Sequence, residues 1–344
     1  MPLWGLYTWF SSHKVVRLEQ ESNTLVIRGL PFVGSIDFAL DPYRYIRNLR
    51  ATFPSSWIRF TICGVHIVLP AGDVAKKGPG LQRMFVKNRH SGSHDSAGPF
   101  LRQFMRTEAI ESQIVPTIKA LSETLEQWGE SGIIDPFEMY PKIVFRIGLR
   151  IALGSEAADD EDTVTYAMHA FRWLNESAQP HSLLFPLIPT PSRHPEWHMK
   201  VNAEISQFVS RNCPGSSHLT AEALGTIGLS AWESELPILE SCIQETVRLV
   251  AIGALPRRNT GSDLTVEGHT IRSGDFVLLM TEEANLDEEI YEHPQEFKPD
   301  RDLSKAEAKP LASLGWGYGN YACPGQRFAK TLLKVGSPMR EYPT

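Results

Sequence analysis

The segment Gly315-Trp316-Gly317-Tyr318-Gly319-Asn320-Tyr321-Ala322-Cys323-Pro324-Gly325 constrains this chain more than any other. Its three glycines at alternate positions let the backbone turn sharply and come close to a flat partner. Cys323 follows, and a helical pattern begins directly after Pro324-Gly325. A thiolate just before a helix N-terminus is favoured by the dipole and by free N–H groups. A soft anionic sulfur in such a loop suits iron. The competing reading is an inert buried cysteine in a glycine-rich turn.

Two weaker motifs precede that loop. In Glu245-Thr246-Val247-Arg248 the two charges are three residues apart, so on a helix they share a face and can pair. Leu239, Cys242, Ile243, Thr246, Val247 and Val250 form the other stripe of that helix. Taken alone, a solvated surface ion pair is the ordinary reading. Phe297-Lys298-Pro299-Asp300-Arg301 is a polar loop with an embedded aromatic, and alone it means nothing.

Around these motifs the pattern is α-rich with a minor β part. Trp57–Gly64 and Val65–Leu69 read as two β runs meeting at Gly64, and 77–80 and 91–98 read as loops. From Pro99 to about Gly154 the pattern is helical. Ile114, Ile118, Leu121 and Leu125 fall on one face, and Gly129 and Gly132 close that helix. Pro186, Pro189 and Pro191 forbid a continuous helix over 182–193. Helices are expected from His194-Pro195 to about Arg211 and from about Ser234 to Val250. Leu264–Ile271 and Phe276–Met280 read as β runs joined by the turn Arg272–Asp275. The helix after Cys323 is expected to be cut by Gly336-Ser337-Pro338. Cys213-Pro214-Gly215 is a turn after a helix.

Composition narrows the function classes. With 34 basic against 40 acidic residues the net charge is −6, which argues against a dedicated nucleic-acid binder. Hydrophobic residues at 42% and charged residues at 22% mark a globular chain. The four cysteines, Cys63, Cys213, Cys242 and Cys323, are too widely spaced for a disulfide framework or a paired zinc site, so a reducing compartment is the simpler reading. No apolar run is long enough for a transmembrane helix. Met1–Phe10 is apolar without the layout of a cleavable signal. It is compatible with peripheral contact with a bilayer surface, or with a buried or frayed terminus.

An E-x-x-R helix, then F-x-P-x-R, then a glycine-rich loop with C-P-G, in that order at 245–248, 297–301 and 316–325, resembles the cytochrome P450 superfamily. In the family's heme-loop pattern F-x-x-G-x-x-x-C-x-G, this sequence has Trp316, Gly319, Cys323 and Gly325, with Trp in place of Phe. The resemblance implies a mainly α fold with a small β region in a single domain over 1–344. Its parts would be β-rich at 24–90, helical at 99–250, and a β segment with the heme loop at 251–344. Pro31–Ser35, Asp41-Pro42, strands over Trp57–Leu69, and the helix carrying His194-Pro195-Glu196-Trp197, Val201 and Glu204-Ile205 extend the similarity upstream.

By resemblance, Cys323 is the axial ligand of heme b iron, and Glu245, Arg248 and Arg301 form a buried charged triad behind the loop. Gly317 shapes that loop. Arg258 pairs with a heme propionate, with Arg257 the fallback, and Tyr321 stands where the family usually has His or Arg for a propionate. The implied activity is a monooxygenase that uses O2 and electrons from NADPH through a cytochrome P450 reductase on a small apolar substrate. Chains of this style look fungal, often in secondary-metabolite or sterol-type oxidation. The implied location is the cytoplasm or the cytoplasmic face of the endoplasmic reticulum.

Two parts of the family pattern have no counterpart. The long central helix with its A/G-G-x-x-T stretch, expected before His194, is missing, and Gly225-Thr226 falls in the wrong segment. The early W-x-x-x-R helix has only His94–Arg106 as candidate, with Arg102 a substitute. No catalytic residue is therefore assigned. A degenerate heme-binding remnant without turnover is the alternative from another class. A zinc site using His194, His198, Cys213 and His218 is a third reading, weakened by Pro195 standing where H-E-x-x-H needs glutamate.

Overall fold

In a computed structural model the described residues are 17–21, 24–28, 38, 42–54, 56–71, 81, 84, 105–128, 136–178, 194–214, 220–251, 253–319 and 322–341. The loops read at 77–80 and 91–98, Pro31–Ser35, Asp41, Gly129, Gly132, 182–193, Arg102, His218 and Tyr321 lie outside them. Over the described residues the fold is mainly helical with two small sheets.

Arg17–Glu21 (β1), Thr24–Arg28 (β2), Trp57–Ile62 (β3) and Val65–Leu69 (β4) join Phe276–Met280 (β8) and Ala254–Arg258 (β5) in one six-stranded sheet. Its order is β1-β2-β3-β4-β8-β5. The β3–β4 hairpin turns at Cys63 and Gly64, both at positive φ, which matches the twist of the flanking strands. The run read as Leu264–Ile271 is two strands, Leu264–Val266 (β6) and His269–Ile271 (β7), that pair with each other as a separate hairpin. Strand β5 was not visible in the sequence pattern, because Pro256, Arg257 and Arg258 mask its alternation.

Strand alternation gives the large sheet two faces. Ile58, Phe60, Ile67, Leu69, Leu278 and Met280 pack on one side with Ile46 of helix Pro42–Thr52 (α1). Trp57, Val68, Val277 and Leu279 pack on the other with Leu311 and Leu314, which lead into the Cys323 loop.

The helical part comprises Thr107–Trp128 (α2), Pro136–Leu153 (α3), Ser155–Asp159 (α4), Glu161–Ala178 (α5), Pro195–Asn212 (α6), Ala221–Gly225 (α7), Leu229–Ser234 (α8) and Pro237–Val250 (α9). Thr281–Asn285 (α10), Ser304–Ala308 (α11) and Gln326–Glu341 (α12) follow. Ile114 and Ile118 are buried as their spacing requires, and they join Trp197, Phe208, Trp232, Val247 and Val335 in the main core. The helix expected from about Ser234 to Val250 is α9, which starts at Pro237 because Ser234 ends α8 and the proline sets the new start.

The sequence expectation fails at α12, which runs through Gly336-Ser337-Pro338 without a break. The Ser337 hydroxyl donates to Leu333 O at 2.7 Å, and Val335 is buried in the main core. Packing against α2 and α6 outweighs the single backbone bond that the proline forfeits. Ion pairs fix α12 further, from Arg327 to Glu233 and from Lys330 and Lys334 to Glu240.

Candidate functional site

Helix α9 anchors the site. Pro237 occupies its first turn, where the missing N–H costs little. The next two amides are taken by a side chain from α6: Ile238 N–H donates to Glu204 Oε1 at 2.7 Å, and Leu239 N–H to Oε2 at 2.9 Å. One turn from its C-terminus the helix carries Glu245 and Arg248, each with only 4% of the side chain exposed. The ordinary expectation of a solvated pair is therefore overturned. Arg248 Nη2 and Nε donate to Glu245 Oε1 at 2.7 Å and Oε2 at 2.8 Å.

A buried carboxylate needs every lone pair answered. Arg301 supplies a second guanidinium, with Nε 3.2 Å from Glu245 Oε1, and Lys298 N–H donates to the same oxygen at 3.0 Å. The F-x-P-x-R loop is thereby tied to the E-x-x-R helix. Arg248 Nη1 donates onward to Asn285 O at 2.8 Å and Pro294 O at 2.6 Å. Arg301 donates to the carbonyls of Glu292, His293 and Glu296. The coil 285–301 is thus wrapped around two arginines.

That coil reaches the loop of Cys323. Asn285 Oδ1 accepts the N–H of Leu314 at 2.9 Å, and the Tyr291 hydroxyl donates to Ala312 O at 3.1 Å. Sequence reasoning missed both residues, since neither lies in a periodic segment.

The glycine-rich loop then passes directly over α9. A Cβ on Gly315 would lie 2.4 Å from Val247 Cγ1, a distance that real side chains do not tolerate. Gly317 and Gly319 take φ of 75° and 61°, the left-handed region that glycine enters without strain. Cys323 N–H closes the turn on Trp316 O at 2.6 Å, and Gln326 N–H donates to Cys323 O at 3.3 Å where α12 begins. Cys323 is exposed, so the inert buried reading does not hold. Trp316 packs against the helical core, and its buried indole N–H meets no hydrogen-bond partner among the described residues.

The other thiols differ. Cys213 and Cys242 are buried, and burial pushes both thiols up, Cys242 to about 12. Cys213 caps the C-terminal end of α6 and donates to Ala223 O, as expected for a turn.

The two candidate propionate partners lie on opposite faces of β5. Arg257 pairs in register with Val277 and is buried on the face shared with Leu314 and Tyr318. Arg258 pairs with Phe276, with its guanidinium 5.8 Å above that ring, on the exposed side facing α1. The geometry thus places the fallback, Arg257, on the side of the Cys323 loop, and Arg258 away from it.

These motifs in this arrangement have counterparts among known proteins. A family model described as Cytochrome P450 matches residues 230–337, which span α8 to α12. The chain belongs to the cytochrome P450 family. It is 32% identical over 145 residues to Cytochrome P450 monooxygenase dmxR5 of Cryptosporiopsis sp. (strain 8999), covering 41% of this chain and 28% of that protein. It is 24% identical over 253 residues to Cytochrome P450 monooxygenase AacuE of Aspergillus aculeatus, covering 68% of this chain and 49% of that protein. The chain thus spans less than half the length of these curated relatives. The solved structure of retinoic acid-bound cyanobacterial CYP120A1 shares the fold, with a TM-score of 0.66 at 16% identity over 92% of this chain and 90% of that one.

Membership in the P450 family implies a heme-thiolate centre, and the residues on this side of the chain fit one. The Cys323 thiol is exposed, and the turn bond of its N–H to Trp316 O holds it at the end of the glycine-rich loop, directly before α12. A buried arginine, Arg257, stands on the loop's side of the sheet. The zinc reading finds no such convergence. His194 lies 3.5 Å from Glu196, His198 meets Asn202, and among the described residues no three metal-binding side chains cluster. No described helix is long and apolar enough to cross a membrane.

Proposed function

We propose that this P450 chain is a heme-thiolate monooxygenase that places one oxygen atom of O2 into a small apolar molecule, with electrons from NADPH through a cytochrome P450 reductase. The observation that carries this reading is the junction of an exposed thiol, Cys323, with a glycine-rich loop laid against the buried Glu245–Arg248–Arg301 cluster. Heme, when bound, supplies the activation of dioxygen, with the thiolate's electron donation favouring O–O cleavage.

Each residue of the chain has a simpler task. Cys323 would hold the heme iron through its sulfur. Trp316, Gly317, Gly319 and Gly325 shape the loop around it. Arg257, rather than Arg258, offers a buried cation to a propionate carboxylate, because it shares the sheet face with Leu314 and Tyr318. Glu245, Arg248 and Arg301 keep the loop at a fixed height over α9. The fungal monooxygenases among the relatives support a substrate in secondary metabolism.

A second reading is favoured by one observation. Helix α5 ends at Ala178 and α6 starts at Pro195, and the intervening residues include Pro180, Pro186, Pro189 and Pro191. In the sequence these prolines interrupt the helical pattern that the family's central helix requires, so heme held without turnover is the competing function. Titration of purified protein with heme, followed by reduction, carbon monoxide and a visible spectrum, tests binding. NADPH consumption with added reductase tests turnover. A thiolate-type band with substrate-dependent consumption supports the monooxygenase. The band without consumption supports the remnant, and no heme binding sinks both.

A further inference from the structure

We propose that Asn285 and Tyr291 are positioning residues for Cys323, acting as a two-point clamp that couples the buried Arg248 to the segment leading into the thiolate loop. The proposal rests on the reading of Cys323 as the iron ligand. Asn285 is 1% exposed and sits at the last turn of α10. Its main-chain carbonyl accepts from Arg248 Nη1 at 2.8 Å, while its side-chain Oδ1 accepts from Leu314 N–H at 2.9 Å. One residue thus bonds the arginine of the E-x-x-R motif and the backbone just ahead of Gly315.

Tyr291 repeats this arrangement from a second point of the same coil. It is 2% exposed, and the Arg248 guanidinium carbon lies 4.9 Å from its ring centroid. Its hydroxyl reaches Ala312 O at 3.1 Å, two residues before Leu314. One contact takes an N–H and the other a carbonyl of the segment 312–314, so the pair fixes both its position and its rotation. From Leu314 the order passes to Cys323 through the turn bond of Gly317 N–H to Leu314 O, at 3.0 Å, and the Cys323 N–H bond to Trp316 O. Both side chains are satisfied in full burial, where losing a partner leaves a costly orphan.

The test needs no activity. In the heme-free full chain, hydrogen exchange is followed in peptides covering 311–317, with 110–118 of α2 as control. Asn285→Ala and Tyr291→Phe are expected to speed exchange in 311–317 by about tenfold, the effect of one net hydrogen bond, and to leave the control unchanged. Asn285→Asp, which keeps the acceptor, is expected to restore protection at Leu314. In heme-loaded protein, Asn285→Ala is expected to lower the share of carbon-monoxide-bound reduced heme absorbing at the thiolate-ligated position, and Asn285→Asp to restore it. Exchange in 311–317 that is unaltered, or that rises equally in the control, overturns the clamp. Should Asn285→Ala fail to fold, Tyr291→Phe, which removes one oxygen, decides the same question. A wild-type chain that binds no heme overturns the proposed function, while the exchange arm still decides the clamp.

Discussion

Glu204 and Leu239, thirty-five positions apart on different helices, are joined by a hydrogen bond of 2.9 Å from the Leu239 amide to the Glu204 carboxylate. The other oxygen takes Ile238 N–H, so one side chain of α6 serves as the N-cap of α9. A cap from a residue distant in sequence fixes where the E-x-x-R helix begins, and hence where Glu245 and Arg248 come to lie. A carboxylate there also complements the positive end of the helix dipole.

Glu204→Ala is therefore expected to destabilise the fold by about 1–2 kcal/mol, the range for a lost cap, and Glu204→Gln by less because an acceptor remains. Urea unfolding with an unchanged slope would measure it. Equal midpoints for wild type and Glu204→Ala would show that the two amides find other partners.

Glu245→Ala removes the anion between two buried guanidiniums and leaves Arg248 and Arg301 uncompensated. The expected loss is about 3–5 kcal/mol. Thermal unfolding checks it, and a loss below about 1 kcal/mol, typical of surface pairs, would contradict the buried geometry.

Cysteine chemistry divides by burial. In native protein, alkylation at mildly alkaline pH is expected to reach Cys63 and Cys323, both exposed, and to spare Cys213 and Cys242, whose thiols burial holds upward. Cys323→Ala is expected to abolish heme incorporation and Cys213→Ala to leave it intact. Equal pigment in both variants would defeat the assignment of Cys323.

How much of the site is legible in the sequence depends on how local each signal is. The glycine-rich loop, the E-x-x-R helix and the β3–β4 hairpin are local patterns, and each can be read directly. Arg257 and Arg258 are adjacent, and the side each faces depends on the register of β5 with β8, which no local pattern encodes. Asn285 and Tyr291 act through a coil held by arginines from elsewhere, so no periodicity marks them. Pro338 shows the opposite failure. Its local rule is sound, and packing against α2 overrides it.

His269 gives the sheet region a pH dependence. Its ring stacks on Trp57 at 4.3 Å, and Nδ1 lies 2.7 Å from Thr24 Oγ1. Burial lowers its pKa; Glu267 opposes that shift and Arg59 adds to it. A depressed folded value means the unfolded chain takes the proton first as pH falls. Stability from neutral His269 is whole above the ordinary value of 6.5 and is lost as pH falls through the lowered one. Melting temperatures between about pH 7.5 and 5 are expected to fall more steeply for wild type than for His269→Gln. Parallel slopes would refute the assignment.

Gly315 offers the most direct test of how closely the glycine-rich loop rides on α9. A methyl group there would meet Val247 Cγ1 at 2.4 Å, with Val247 O and C at 3.4 and 3.5 Å behind it. The valine is 3% exposed, so neither partner has room to retreat. Gly315→Ala is expected to cost about 1–3 kcal/mol, as overpacking does in a filled core, and to weaken heme retention by displacing the backbone that leads to Cys323. The clash is with a side-chain methyl, so Val247→Ala should relieve it. The double variant is expected to recover part of the stability that Gly315→Ala loses, although Val247→Ala alone is destabilising. Strictly additive losses in the two variants would place the loop farther from the helix than the geometry requires.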